Sequence, residues 1–247
     1  MSLDLAILGG TGLYNFPGLE NVEKQTVPTP FGAPSAPIVT GHLAGRRVGF
    51  LARHGEDHRL APHRVNYRAN LWALHALGAR RIVGVNAVGG IRDDLGPRTL
   101  AVPDQIIDYT HGRPSSFSDA EGAKVEHVDF TEPYSAPLRA ALLAAATRAG
   151  IRIVDGGCYG ATQGPRLETR AEIARLRRDG CDLVGMTGMP EAVLARELGV
   201  EYACLAVVAN WAAGCGGEAG ISLEEIYANL AAAMAQVPPI LVALLAG

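Results

Sequence analysis

The sequence predicts an α/β protein with helices on both faces of a sheet, and three observations carry that expectation. Short apolar runs alternate with amphipathic ones along all 247 residues, as buried strands alternate with packing helices. Several apolar runs stop at Gly-rich or polar signatures, which is how strands end above a ligand crevice in open α/β sheets. No low-complexity segment, fixed-period repeat or linker interrupts the alternation, so the chain reads as one domain over 1–247.

Taken in order, Leu5 to Leu8 is a short apolar run that stops at Gly9-Gly10-Thr11-Gly12, a buried strand and its turn. Val48 to Ala52 is a second strand, ending at Arg53-His54-Gly55. Tyr67, Leu71, Leu74 and Leu77 are spaced 4, 3 and 3 apart, which predicts a helix over 66–77 closed by Gly78. Ile82 to Val85 is a strand ending at Asn86-Ala87-Val88-Gly89-Gly90.

Pro137 to Ala149 is an Ala/Leu-rich helix stopped by Gly150, and Ile151 to Val154 and Tyr159 are extended. Arg166 to Arg178 is helical, Asp182 to Met186 a strand, Pro190 to Leu198 a helix with Pro in its first turn, and Tyr202 to Ala209 a strand. The last helix starts near Ser222, with Ser222 and Glu225 as a capping box. The stretches 26–36, 110–134 and 211–221 read as loops, where ligand contacts concentrate.

Composition narrows the function. The chain is 48% hydrophobic and 19% charged with a net charge of −3, whereas nucleic acids and anionic membranes demand a basic footprint. No apolar run reaches the roughly 18–20 residues of a membrane helix, and the start lacks the basic region of a signal peptide. Cys158, Cys181, Cys204 and Cys215 form no Cys-x-x-Cys pair and lie in apolar or Gly-rich surroundings, as reduced thiols of a cytoplasmic protein would. His54-Gly55-Glu56-Asp57-His58 has its Glu one place late for a zinc-protease helix, so no metal site is expected.

Five strand ends carry groups suited to an anion: Gly9 to Gly12, Arg53-His54-Gly55, Asn86 to Gly90, Met186-Thr187-Gly188 and Asn210. Glycines let backbone N–H groups approach phosphate oxygens, Thr adds a hydroxyl, and Arg adds a fork matched to phosphate. Singly, each has an ordinary structural explanation. The first is neither a dinucleotide fingerprint nor a Walker loop and could be a plain turn. Arg53-His54 could be a surface pair, Met186 a core residue, and Asn210 a turn.

Together with Thr29-Pro30-Phe31-Gly32, Val65 to Asn70, Gln163-Gly164-Pro165-Arg166 and Gly185 to Glu191, these motifs resemble the trimeric-class purine nucleoside phosphorylases. Within that class the chain is most similar to the methylthioadenosine and methylthioinosine phosphorylase branch, over nearly its whole length. The resemblance implies a single-domain, twisted mixed β-sheet flanked by helices. It also implies a homotrimer and phosphate-dependent cleavage of a purine nucleoside, with phosphate as co-substrate and no cofactor. Phosphate would be held by Thr11, Arg53, His54, Asn86, the Ala87 amide and Thr187. Met186 would lie against the sugar, and Leu167, Trp211 and Ala212 would line the base and sugar sites. Catalysis would rest on positioning phosphate and on stabilising charge on the departing base, with Asn210, His54 and Arg53 central.

Asn210 matches the position that faces N7 and the 6-substituent in this family. An amide there donates to O6 and accepts from N7–H, which suits a 6-oxopurine; Ala212 stands where the adenine-specific branch has Asp. Hypoxanthine is therefore expected over adenine. Gln163 stands where the resemblance expects Glu; it would accept from N1–H through a neutral carbonyl, weakening the case for guanine, or would only hold the Gly164-Pro165 turn. Leu223 and Ile226, three apart on one helical face, would form an apolar wall for a 5′-methylthio group. Glu168 matches a further specificity position, and His127 a residue contributed by the neighbouring subunit. Open alternatives are a general inosine/guanosine phosphorylase, a methylthioadenosine phosphorylase, and a non-catalytic nucleoside-binding protein on the same fold.

Overall fold

In the computed structural model, which describes residues 2–9, 18–119, 122, 124–217 and 222–247, β1 (Leu5–Gly9) feeds two cores with alternate side chains. Leu5 and Ile7 pack with Val83 and Val85 on one face, and Ala6 and Leu8 with Ile82 on the other. A period-two strand can bury every residue in this way only when both faces are covered. The first face is covered by α2 (Ala136–Arg148), α5 (Leu223–Met234) and α6 (Val237–Ala246), through Leu142, Leu230 and Leu241. The second is covered by α1 (Tyr67–Ala76) and α4 (Gly188–Glu197), through Leu71, Leu74 and Leu194. The fold is the expected mixed sheet flanked by helices.

Among the described residues eleven strands share one sheet. They are β1, β2 (Glu20–Gln25), β3 (Ile38–Leu43), β4 (Arg46–Ala52), β5 (Arg81–Gly90), β6 (Leu100–Val102), β7 (Gln105–Asp108), β8 (Val154–Asp155), β9 (Cys158–Ala161), β10 (Leu183–Gly185) and β11 (Glu201–Trp211). The order is β2-β3-β4-β1-β5-β10-β9-β7, with β11, β6 and β8 branching from β5. On one edge β5 pairs with parallel β11 from Arg81↔Glu201 to Gly90↔Trp211. On its other edge parallel β1 reaches only Leu8↔Gly84, and antiparallel β10 starts only at Val184↔Gly89. Residues 85–88 therefore face an opening in the sheet, and the crevice lies there.

Several local expectations are corrected. β5 and β11 do not stop at Val85 and Ala209 but run on to Gly90 and Trp211, because each satisfies the other's backbone along its whole length. Asn210 is thus a strand residue, placed just past a register irregularity after Val208 that re-aims it. The helix expected from Arg166 begins at Arg170 (α3, Arg170–Arg178), where Thr169 and Glu172 form a capping box. Met189 and Pro190 have non-helical dihedrals, so the regular turns of α4 follow Pro190.

The last helix is two helices, broken before Val237-Pro238-Pro239; Ser222 accepts from the Glu225 N–H at 3.4 Å, one half of the expected box. Contrary to the sequence expectation, Leu223–Ala246 is long and apolar enough to cross a membrane by length and composition, with mean hydropathy 1.7. Here its apolar side packs on β11 and α2. As expected, the Asn66 side chain caps α1 by accepting from the Ala69 N–H, and Gly78 takes φ 85° just past its end, where a Cβ would be strained.

Candidate functional site

A cavity of about 270 Å³ opens at the C-terminal ends of β4, β5, β10 and β11. Arg53, His54, Ala87, Met186, Thr187, Asn210, Ala212, Leu167, Glu168 and Ile226 all line it, so the structure brings together ten of the residues singled out by sequence. His58, Tyr227 and Leu230 line it too. Thr11 lies outside the described residues.

Arg53 sits where β1 and β5 part. Its Nη1 donates to the Val85 carbonyl at 3.0 Å and its Nη2 to the Leu8 carbonyl at 3.2 Å, acceptors at the last β1–β5 pair, Leu8↔Gly84, and one residue past it on β5. Nε and Nη2 also donate to the two carboxylate oxygens of Glu191, the second at 2.9 Å. The fork expected to face phosphate is therefore turned onto Glu191, and of five N–H donors one on Nη1 is left for a ligand. Burial opposes the guanidinium charge, but the Glu191 carboxylate more than offsets it, so the pKa is raised and Arg53 stays charged. The Tyr202 hydroxyl donates to the same carboxylate at 2.8 Å.

His54 Nδ1 lies 2.8 Å from the Leu60 carbonyl; a carbonyl only accepts, so Nδ1 carries the proton. Burial and the neighbouring Arg53 charge lower the His54 pKa to about 4. The ring is neutral near pH 7 and its Nε2 offers a lone pair. Asn86 is not in the cavity wall. Its Nδ2 donates to Thr187 Oγ1 at 2.7 Å, and Cys204 Sγ approaches its Oδ1 at 3.4 Å. Because Thr187 Oγ1 accepts from Asn86, its own O–H is left to donate. Asn86 therefore orients the Thr187 hydroxyl.

Asn210, also in the cavity wall, donates through Nδ2 to the Trp211 carbonyl at 2.6 Å, leaving Oδ1 and one N–H. Glu168 Oε1 accepts from Thr162 Oγ1 at 2.6 Å, leaving the other carboxylate oxygen for a ligand. Gln163 is not brought to this cavity: its Oε1 accepts from the His111 N–H and Arg113 Nε, and its Nε2 donates to the His111 carbonyl. It lines a neighbouring cavity of about 550 Å³ that shares Glu168 as a wall. Gly164, at φ 59°, is required beside it, since a Cβ there would collide with the Met186 thioether.

Trp211 is also outside, its indole packed against Gly96 and Gly216. Leu223 is 64% exposed and does not reach the cavity; Ile226 and Leu230 supply the apolar wall. His127 is exposed and lies outside the cavity of its own chain. Two buried residues escaped the sequence reading, Glu191 and Arg113. Beyond its place at the end of the motif Gly185 to Glu191, the sequence signal for Glu191 is a carboxylate set in an otherwise apolar run, Met189 to Leu194. Arg113 lies in an irregular loop and gives none. Among the described residues no His/Cys/Asp/Glu cluster could hold a metal ion.

An anion-suited opening in a mixed α/β sheet, in a cavity lined also by polar side chains and by the apolar residues of a helix, is the arrangement of a nucleoside phosphorylase. The chain belongs to the Phosphorylase superfamily, whose model matches residues 4–246. A protein of Xanthomonas campestris pv. campestris named probable S-methyl-5′-thioinosine phosphorylase is 60% identical over 240 residues, covering 97% of this chain and 96% of its own. The 6-oxopurine nucleoside phosphorylase of Pyrococcus furiosus is 48% identical over 219 residues, 87% of this chain and 82% of its own. Among solved structures, methylthioadenosine phosphorylase from an antarctic soil metagenomic library superposes with TM-score 0.92 at 38% identity, covering 99% of this chain and 86% of that one. The Schistosoma mansoni methylthioadenosine phosphorylase in complex with adenine gives 0.93 at 31%, covering 99% and 91%.

Proposed function

We propose that the protein cleaves S-methyl-5′-thioinosine with inorganic phosphate, yielding hypoxanthine and 5-methylthioribose 1-phosphate. The observation that carries this reading is the polar lining of the cavity, to which Asn210 and Glu168 both contribute together with uncharged Ala212. A 6-oxopurine presents O6 as acceptor and N1–H as donor, matching an amide N–H and a carboxylate; a 6-aminopurine presents an N1 lone pair that the carboxylate repels. Glu168 takes the role first expected of Gln163. The names of the relatives from Xanthomonas campestris and Pyrococcus furiosus agree with this base choice.

Phosphate would be held by the Thr187 hydroxyl, the remaining Arg53 N–H and the Ala87 amide, with the P–O–H of hydrogen phosphate donating to the His54 Nε2 lone pair and Thr11 as a further donor. One of its oxygens attacks C1′ while the C1′–N9 bond breaks and its electron pair passes to the purine. The proton that ends on N7 comes from solvent, and the N7–H donates to Asn210 Oδ1. Because the transition state is oxocarbenium-like, rate comes from holding phosphate and base in line and stabilising charge on the base. Met186 packs against the sugar, and Ile226 and Leu230 accept the 5′-methylthio group while leaving a 5′-hydroxyl unpaired.

The test is release of free base from methylthioinosine, methylthioadenosine, inosine and guanosine, each with and without phosphate. Preference for methylthioinosine, only with phosphate, is expected. Preference for inosine would remove the sugar assignment, equal use of methylthioadenosine the base assignment, and binding without turnover would make it a nucleoside-binding protein.

The working unit would be a homotrimer in which His127 completes a neighbour's sugar site. The exposed apolar Leu223, Tyr227 and Leu167 at and beside the cavity mouth support this. Light scattering should give three times the 25.9 kDa chain mass. A monomer would contradict it. Four free cysteines suit a reducing, cytoplasmic setting, which cell fractionation tests.

A further inference from the structure

Arg113 is nine-tenths buried and, among the described residues, forms no ion pair with a carboxylate. Its donors go to neutral acceptors on two walls of the cavity. Nη1 donates to the carbonyls of Met186 at 2.8 Å and Met189 at 2.7 Å, spanning the turn that carries Thr187, and to Tyr67 Oη at 3.2 Å. Nη2 donates to the carbonyls of Thr162 at 3.1 Å and Gln163 at 2.9 Å, and Nε to Gln163 Oε1 at 3.2 Å. Thr162 is the residue whose hydroxyl holds Glu168. One planar guanidinium therefore ties the segment that presents Glu168 to the turn that presents Met186 and Thr187. It is delivered by a loop whose other described residues do not line the cavity.

We propose that Arg113 is a positioning residue that sets the distance between the base wall and the sugar–phosphate wall, and so the alignment of phosphate, C1′ and leaving base. The inference rests on the phosphorolysis reading above. Each wall has its own internal bonds, Asn86 to Thr187 on one side and Thr162 to Glu168 on the other, so each ligand alone finds its partners without Arg113. What Arg113 adds is their mutual geometry, and reaction is far more sensitive to alignment than binding is: about 1 Å of misplacement costs about 10² in rate. Lysine keeps the charge but offers one point donor in place of a fork, so it cannot span both walls.

The test uses the full chain with Arg113→Lys and Tyr67→Phe, the second removing one acceptor of Nη1, together with that hydroxyl's own bond to the Pro62 carbonyl, while keeping the buried ring. Both are assayed for kcat with methylthioinosine and phosphate at saturation. Separate calorimetric titrations measure hypoxanthine and phosphate binding, and melting curves confirm folding. Arg113→Lys is expected to lower kcat about 30–100-fold with each single-ligand Kd within about threefold of wild type, and Tyr67→Phe to lower kcat about 3–10-fold in the same pattern. If Arg113→Lys does not fold, the Tyr67→Phe split decides alone. A folded variant with kcat within twofold of wild type overturns the proposal. So does a loss of binding as large as the loss of rate, since that is what a merely structural role produces. Wild-type protein with no phosphate-dependent turnover overturns the phosphorolysis reading itself, which separates the two failures.

Discussion

Arg53 and Glu191 form an ion pair closed off from solvent, 1% and 0% exposed, with the guanidinium meeting both carboxylate oxygens. The pair joins the opening between β1 and β5 to α4, so the cation nearest the proposed phosphate site is anchored by the helix that follows Thr187. A buried charge whose partner is removed is strongly unfavourable, by about 3–5 kcal/mol. Glu191→Gln, which keeps the shape and one acceptor, should cost about 3 kcal/mol in urea unfolding, toward the low end of that range. An unchanged midpoint would show that other groups neutralise Arg53.

His54 makes stability depend on pH. Its pKa of about 4 in the fold lies below the ordinary 6.5 because burial, then the Arg53 charge, disfavours the imidazolium. Above pH 6.5 both folded and unfolded forms are neutral and the residue contributes no slope. As pH falls from 6.5 towards 4 the unfolded chain takes up a proton that the folded chain refuses, so stability is lost across that window, about 2 kcal/mol of it by pH 5. Urea unfolding at pH 7 and pH 5 should therefore differ more for wild type than for His54→Asn. Equal pH dependence in the two would mean that His54 is already charged in the fold.

The sheet, its helices and most of the cavity were legible in the sequence because both rest on local pattern: apolar runs for strands, polar residues at their ends. What escaped has a physical reason in each case. β2 is Glu20–Gln25, a charged and exposed edge strand with no apolar period, and β6 is only three residues long. Asn86 and Asn210 look like turn residues because Asn usually is one, yet the mutual pairing of β5 and β11 keeps both in strands. Gln163 and Glu168 lie five residues apart on one irregular segment, and nothing local says which faces the cavity; Arg113, fifty positions from Gln163, decides it. Long-range polar contacts of that kind leave no periodicity to read.

Base choice should follow Asn210, Glu168 and Ala212. Asn210→Ala removes an amide donor aimed at developing charge and should lower kcat/KM by about 10²–10³. Glu168→Gln should lower it about 10²-fold for methylthioinosine, by replacing a charged acceptor for N1–H with a neutral one. Asn210→Asp combined with Ala212→Asp supplies the carboxylates that accept from a 6-amino group and should move preference towards methylthioadenosine. Steady-state kinetics on the two nucleosides measures all three. No movement in the double variant would place base choice on Glu168 alone.

At the sugar end two residues of α5 make opposite predictions. Ile226 lines the cavity, whereas Leu223, one turn earlier, is 64% exposed and outside it. A methylthio group and a 5′-hydroxyl differ chiefly in whether a polar atom is left unpaired, so discrimination depends on the wall's having no partner to offer. Ile226→Thr keeps the branched shape and adds a hydroxyl; the ratio of kcat/KM for methylthioinosine to that for inosine should fall about tenfold. Leu223→Ala should leave the ratio within about twofold, as surface changes away from a site usually do. If Leu223→Ala moves the ratio and Ile226→Thr does not, the start of α5 must fold over the sugar when substrate binds, and the wall seen here is not the one the substrate meets.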